Sequence, residues 1–173
     1  DLDVSWAVVG HLQTNKARDV AGFAAEFQAL DSLRLAEALD RRLQAAGRSL
    51  DVFVQVNTSG EESKYGLSPD EVLAFLAALP RFETLRVQGL MTLALFSSDL
   101  ERVRACFVRL RTLRDRARDT DPDLIGPGEL SMGMSGDFEV AIDEGATCVR
   151  VGQALFGSRA PRYDEAHYWP SGT

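Results

Sequence analysis

The sequence predicts an α/β fold making up most of a (β/α)8 TIM-type barrel, and three observations carry that reading. Along the 173 residues, apolar runs of strand length alternate with longer segments of helical period, as consecutive βα units do. Six such units are too many for a small flavodoxin-like sheet, whereas a whole barrel typically needs more residues than this. The open six-stranded Rossmann sheet is the alternative, but no GxGxxG follows a strand, and GHLQTN after the first strand holds one glycine.

Taken in order, the predicted strands are SWAVVG (5 to 10), FQAL (27 to 30), LDVFVQVN (50 to 57), LRVQGLMTL (85 to 93), LSMGM (130 to 134) and TCVRV (147 to 151). Between the third and fourth, Ser68 is placed to cap a helix, Pro69 suits its first position and Glu71 closes a capping box. Val72, Phe75, Leu76 and Leu79 then recur at helical spacing until Pro80 ends the run. The longest helix, about 99 to 118, sets Leu100, Val103, Phe107, Leu110 and either Leu113 or Arg114 on one apolar stripe. Its other face, Arg102 through Arg118, is expected to be solvated and interleaved with acids such as Glu101 and Asp115, with partner docking as the other reading.

Composition fits one filled domain over residues 1–173, with 45% apolar and 26% charged positions and no linker. No stretch approaches the roughly 20 apolar residues of a membrane span, and no basic patch precedes an apolar run at the N-terminus, so a cytoplasmic protein is expected. A formal charge of -7 disfavours a broad nucleic-acid surface, which needs positive potential to release counterions. Cys106 and Cys148 lack CxxC or Cys/His ligand spacing and are expected to be buried packing residues in a reducing compartment. The start at Asp1, almost directly on a strand, reads as though a stretch upstream has been lost.

Residues 130–159 contain two short apolar strands that each end in a small-residue turn opening a helix. In barrels, phosphate commonly sits on the loops after the last two strands. Ser135 and Gly136 in the first turn, with Gly152 and Gln153 in the second, offer a hydroxyl and exposed N–H groups suited to a phosphate dianion. Singly, Ser135 also reads as a helix cap and Gly152 as a tight turn. Arg150 alternates with Val149 and Val151, so its side chain points opposite to theirs, and a charge inside a barrel needs a reason, of which a buried ion pair is the plain one.

Five blocks, GHLQTNKAR (10 to 18), VFVQVNTSGEESKYG (52 to 66), VQGLMTL (87 to 93), LSMGMSGDFEVAI (130 to 142) and VRVGQALFGSR (149 to 159), resemble the YggS/PROSC family of pyridoxal 5′-phosphate (PLP) homeostasis proteins in the same order. The resemblance implies a fold-type III barrel like the N-terminal domain of alanine racemase, binding PLP without strong turnover. Such a protein buffers the cofactor of vitamin B6 metabolism or delivers it to PLP-dependent apo-enzymes, influences amino-acid and keto-acid balance, and acts as a monomer or weak dimer. It also implies that Ser135, Gly152 and Gln153 cradle the phosphate and that Arg150 lies near the pyridine nitrogen. A guanidinium cannot accept a proton, so it leaves that nitrogen unprotonated and weakens the electron sink.

By the same resemblance His11 flanks the cofactor, Met91 packs on the ring, Lys64 approaches the phenolic oxygen and Asn57 orients that neighbourhood. The bland alternatives are a structural histidine, a core methionine and a solvated loop lysine. Family members carry the Schiff-base lysine on a first strand resembling AVSKT, followed by a GENY-like unit. Neither occurs here: the lysines are Lys16 and Lys64, which match other family positions. The expected fold is therefore a barrel whose first two βα units are absent from this chain, exposing two strand edges that invite aggregation. Two enzymatic alternatives stand beside the carrier. An amino-acid racemase would need a second base, for which Tyr163 and Tyr168 are the available tyrosines in the short tail. A phosphosugar enzyme would need a base and an acid at other strand ends.

Overall fold

The computed structural model describes residues 4–61 and 64–157. Its strands are β1 (Ala7–Val8), β2 (Glu26–Leu30), β3 (Leu50–Gln55), β4 (Leu85–Met91), β5 (Glu129–Met134) and β6 (Cys148–Arg150). Between and after them lie α1 (Ala17–Phe23), α2 (Leu33–Ala46), α3 (Val72–Ala78), α4 (Leu100–Thr120), α5 (Phe138–Asp143) and α6 (Gln153–Phe156). All neighbouring strands pair in parallel, in the order β1-β2-β3-β4-β5-β6. Every predicted strand is present. β1 is the shortest, because only Ala7 and Val8 pair with β2, although the Trp6 carbonyl also accepts from the N–H groups of Ala25 and Glu26.

The sheet is strongly curled. β2 and β5 are three strand spacings apart, about 14 Å if flat. Yet Ser131 Oγ on β5 donates to Gln28 Oε1 on β2 at 2.6 Å, which two short side chains cannot do across a flat sheet. Gly89 permits the tight approach of β4 and β5, since a Cβ there would lie 1.9 Å from the Glu129 carbonyl oxygen. Helices pack outside the curl over Phe27, Val52, Val54 and Leu90, all fully buried.

The helix signals hold locally. Ser68 and Glu71 form the capping box, Pro69 opens a single 3-10 turn, and Val72, Phe75, Leu76 and Leu79 are buried. One expectation fails on α4 and one holds only in part, since Arg102, Arg109, Arg116 and Arg118 are exposed as expected and Arg114 pairs with Asp115. Leu100 is 50% exposed, because it sits in the first turn beyond the reach of the sheet, while Cys106 and Ala117 complete the buried stripe. The arginine face is not merely solvated. Arg104 and Arg111 both donate to Glu144 at 2.6 Å, Arg109 to the Thr58 carbonyl at 2.7 Å and Arg114 to the Gly128 carbonyl at 3.2 Å. These long side chains reach across to neighbouring loops and lock α4 in place.

Candidate functional site

In a parallel sheet every strand points its carboxyl end the same way, so the loops leaving those ends gather on one rim. His11 follows β1, Asp31 follows β2, Asn57 and Lys64 follow β3, Met91 ends β4 with Thr92 directly after it, Ser135 follows β5, and Gly152 and Gln153 follow β6. The residues singled out in the sequence thus share one end of the molecule.

The last two strands build the firmest part. Met134 pairs with Arg150, so the two turns leave adjacent strands at one level, about 5 Å apart. In the first turn the Met134 N–H donates to Asp137 Oδ1 at 2.6 Å, and the Asp137 N–H returns to the Met134 carbonyl at 3.0 Å. Asp137, not Ser135, is the residue that precedes α5, which removes the cap reading of Ser135. The Ser135 hydroxyl has no hydrogen-bond partner among the described residues, and Gly136 is exposed. In the second turn, the Gly152 carbonyl accepts from Leu155 and Phe156, while Gln153, as first residue of α6, has no intrahelical acceptor for its N–H.

Arg150 is half-buried, and among the described residues it forms no ion pair. Its Nη1 donates to Ser131 Oγ at 2.6 Å and its Nη2 to the Thr92 carbonyl at 2.7 Å. Burial pushes the guanidinium down from its ordinary value, opposed by the nearby Cys148 and Asp137. The buried ion pair that would have explained this arginine blandly is absent among the described residues. Cys148, expected to be buried, is half-buried, with its sulfur 3.9 Å from Gln28 Nε2.

Strand register places Gln55, Met91 and Ser131 in one row across β3, β4 and β5. Met91 is fully buried there. Gln55 Nε2 donates to the Tyr65 carbonyl at 3.3 Å, but its Oε1 is buried without a partner.

The remaining residues belong to the loops after β1, β2 and β3. His11 is exposed and stacks on Tyr65, with ring centroids 4.1 Å apart and an interplanar angle of 12°. Asn57 staples its loop: Nδ2 donates to the Glu61 carbonyl at 2.8 Å, and Oδ1 accepts from Ser59 Oγ at 3.0 Å and from the Gly60 N–H at 3.2 Å. Lys64 is not a free loop lysine, since Nζ meets Glu61 Oε2 at 2.6 Å and the Ala94 carbonyl at 3.0 Å. Its hydrogen bond is the main reason the Glu61 carboxyl lies below its usual range. Burial pushes the Asp31 carboxyl up, opposed by His11 and by the Gly66 N–H.

Sequence reasoning missed Tyr65, Asp31, Gln28, Ser131 and Thr92. Tyr65 and Ser131 lie inside the recognised blocks and were within reach; the partners of Gln28 and Thr92 depend on the curl of the sheet. Tyr163 and Tyr168 lie outside the described residues.

These features fit PLP. A phosphate dianion needs hydroxyl and peptide donors that the protein leaves unused, as at Ser135 and the two turns, and a pyridine nitrogen needs a donor such as the Arg150 guanidinium. The orphaned Gln55 Oε1 in the same interior is a second sign of an unfilled polar partner. A curled parallel sheet with such a rim defines the class of the alanine racemase N-terminal domain, and the sequence model so described matches residues 2–160. An alanine racemase from Clostridium difficile shares the fold at a TM-score of 0.72 and 17% identity, over 94% of this chain and 42% of that one.

Within that class the chain belongs to the pyridoxal phosphate homeostasis protein family. It is 40% identical over 159 residues to the pyridoxal phosphate homeostasis protein of Aquifex aeolicus, covering 92% of this chain and 69% of that protein. The structure of PipY from Synechococcus elongatus with PLP bound superposes with a TM-score of 0.82 at 36% identity, over 90% of this chain and 72% of PipY. The chain spans about two thirds of the length of the curated relatives it matches.

Proposed function

We propose that this chain binds PLP at the carboxyl ends of its strands and serves vitamin B6 homeostasis in the cytoplasm, buffering or delivering the cofactor to apo-enzymes without strong turnover of its own. The observation that carries this reading is Arg150: an interior guanidinium without a carboxylate partner among the described residues, one strand from an unused hydroxyl and at the level of two turns that keep unused N–H groups. The curled six-stranded sheet is read as six strands of an eight-stranded barrel, and the protein as a monomer or weak dimer.

Bound PLP supplies an electron sink for carbanion formation at an amino acid. The chain's own groups temper it. Ser135 Oγ and the N–H groups of Gly136, Gly152 and Gln153 hold the phosphate. Arg150 donates to the ring nitrogen and, having no basic site, keeps a proton off it. Met91 limits water from beneath, His11 on Tyr65 walls the opposite rim, and Asn57 fixes the loop that carries Lys64.

The test is titration of the chain with PLP, followed by absorbance and tryptophan fluorescence, beside a sensitive D/L-alanine interconversion assay. Saturable binding that is weakened by Arg150→Ala, with negligible interconversion, is expected. Binding indifferent to Arg150, or substantial racemisation, overturns the proposal.

A further inference from the structure

The interior of the curl contains a hydrogen-bond chain that runs in one direction. Arg150 Nη1 donates to Ser131 Oγ at 2.6 Å. With its lone pair so occupied, the Ser131 hydroxyl donates onward to Gln28 Oε1 at 2.6 Å. Gln28 in turn donates through Nε2 to Glu26 Oε1 at 2.5 Å. Each link polarises the next in the same sense, from a guanidinium cation to a carboxylate, which strengthens all three. Ser131 and Gln28 are buried, so water does not substitute for either. The acceptor from Gln28 settles which way the Ser131 hydroxyl points, and that decides whether Arg150 finds a lone pair or a competing hydrogen.

We infer that Ser131 and Gln28 are positioning residues that aim Arg150, with Glu26 as the terminal counter-charge, and so determine selectivity for a ligand bearing a ring-nitrogen acceptor. The inference rests on the proposed contact between Arg150 and the PLP ring nitrogen. Thr92 complements the chain, since its carbonyl holds the second Arg150 nitrogen from the end of β4 at 2.7 Å. Two anchors on different strands leave the remaining guanidinium donors in one orientation.

The experiment compares the Kd of the chain for PLP with that for the analogue whose ring nitrogen is replaced by C–H, in the unaltered protein and in Ser131→Ala, Gln28→Met and Ser131→Thr. The unaltered chain is expected to prefer PLP by about tenfold or more, the strength of one charge-assisted hydrogen bond. Ser131→Ala and Gln28→Met are expected to bring the ratio to within about twofold, and Ser131→Thr, which keeps the hydroxyl, to restore most of it. A purely structural role weakens both ligands alike and leaves the ratio unchanged, so a preference preserved in both apolar variants overturns the positioning role alone. Equal affinity for the two ligands in the unaltered chain, or no binding of either, overturns the reading of Arg150 and the inference with it.

Discussion

At the scale of single residues, the phosphate turns and the rim carboxylate make separable predictions. Ser135→Ala removes the hydroxyl donor of the proposed phosphate cradle while leaving the Met134–Asp137 turn its own two hydrogen bonds. The expected loss is about 1–3 kcal/mol, roughly a 5- to 150-fold rise in the Kd for PLP by titration. Unchanged affinity would remove Ser135 from the cradle. Asp31 concerns stability rather than binding. Burial raises its pKa, so the folded chain holds the proton more tightly than the unfolded chain. The stabilisation this gives is complete below the unfolded carboxylate range near pH 4 and is lost as pH rises through the folded value. Asp31→Asn keeps a side-chain oxygen for the Gly66 N–H and cannot ionise. It is expected to melt higher than the parent at about pH 7 and nearly together with it at about pH 4. A lower melting temperature at neutral pH would mean that attraction to His11 outweighs burial. At this scale the residues of the proposed cradle were legible in the sequence, because Ser135, Gly152 and Gln153 lie beside recognisable turns. It hid the stacking of His11 on Tyr65 and the pairing of Lys64 with Glu61, which depend on how two loops close over one another.

At the scale of elements, the packing of α4 is the instructive case. Its buried stripe followed from a 3.6-residue period, but the fate of its arginines did not, because their acceptors lie on other elements. Glu144, directly after α5, accepts from both Arg104 and Arg111, and its side chain is only 11% exposed. Asp143 next to it meets Arg104 at 3.3 Å and is 65% exposed. Glu144→Gln leaves two guanidinium groups facing a neutral amide. The expected cost in urea unfolding is about 1–2 kcal/mol, below that of a fully buried pair because each arginine is about a third exposed to screening water. Asp143→Asn should change stability by less than about 0.5 kcal/mol. Equal effects of the two would show that burial does not set the value of this cluster. Strands were the most legible elements, since parallel strands covered on both faces read as continuous apolar runs. β1 was overestimated for a related reason: its apolar residues resemble a longer strand, yet only two of them find a register with β2.

For the whole molecule, the question is what the curled sheet does at its two ends. β1 pairs only with β2, and β6 only with β5, among the described strands. Apolar side chains gather nearby: Trp6 is 61% exposed before β1, and Leu155 and Phe156 are 73% and 88% exposed after β6. An unpaired strand edge beside exposed aromatic surface is a template for association, and a net charge of -7 opposes it only weakly at physiological salt. The 173-residue chain by itself is therefore expected to self-associate with rising concentration in sedimentation velocity, more so as salt is raised. Trp6→Lys should reduce that association without unfolding β1, because the hydrogen bonds to Ala25 and Glu26 use the Trp6 carbonyl rather than its ring. A chain that stays monomeric throughout, or a lysine variant that associates as strongly as its parent, would show that the β1 end of the sheet is not the adhesive surface. The interior chain from Arg150 to Glu26 already links β6 to β2 across the concave face. The curl is thus fixed from within, and closing or covering the edges is expected to alter solubility far more than the geometry of the rim at the carboxyl ends of the strands.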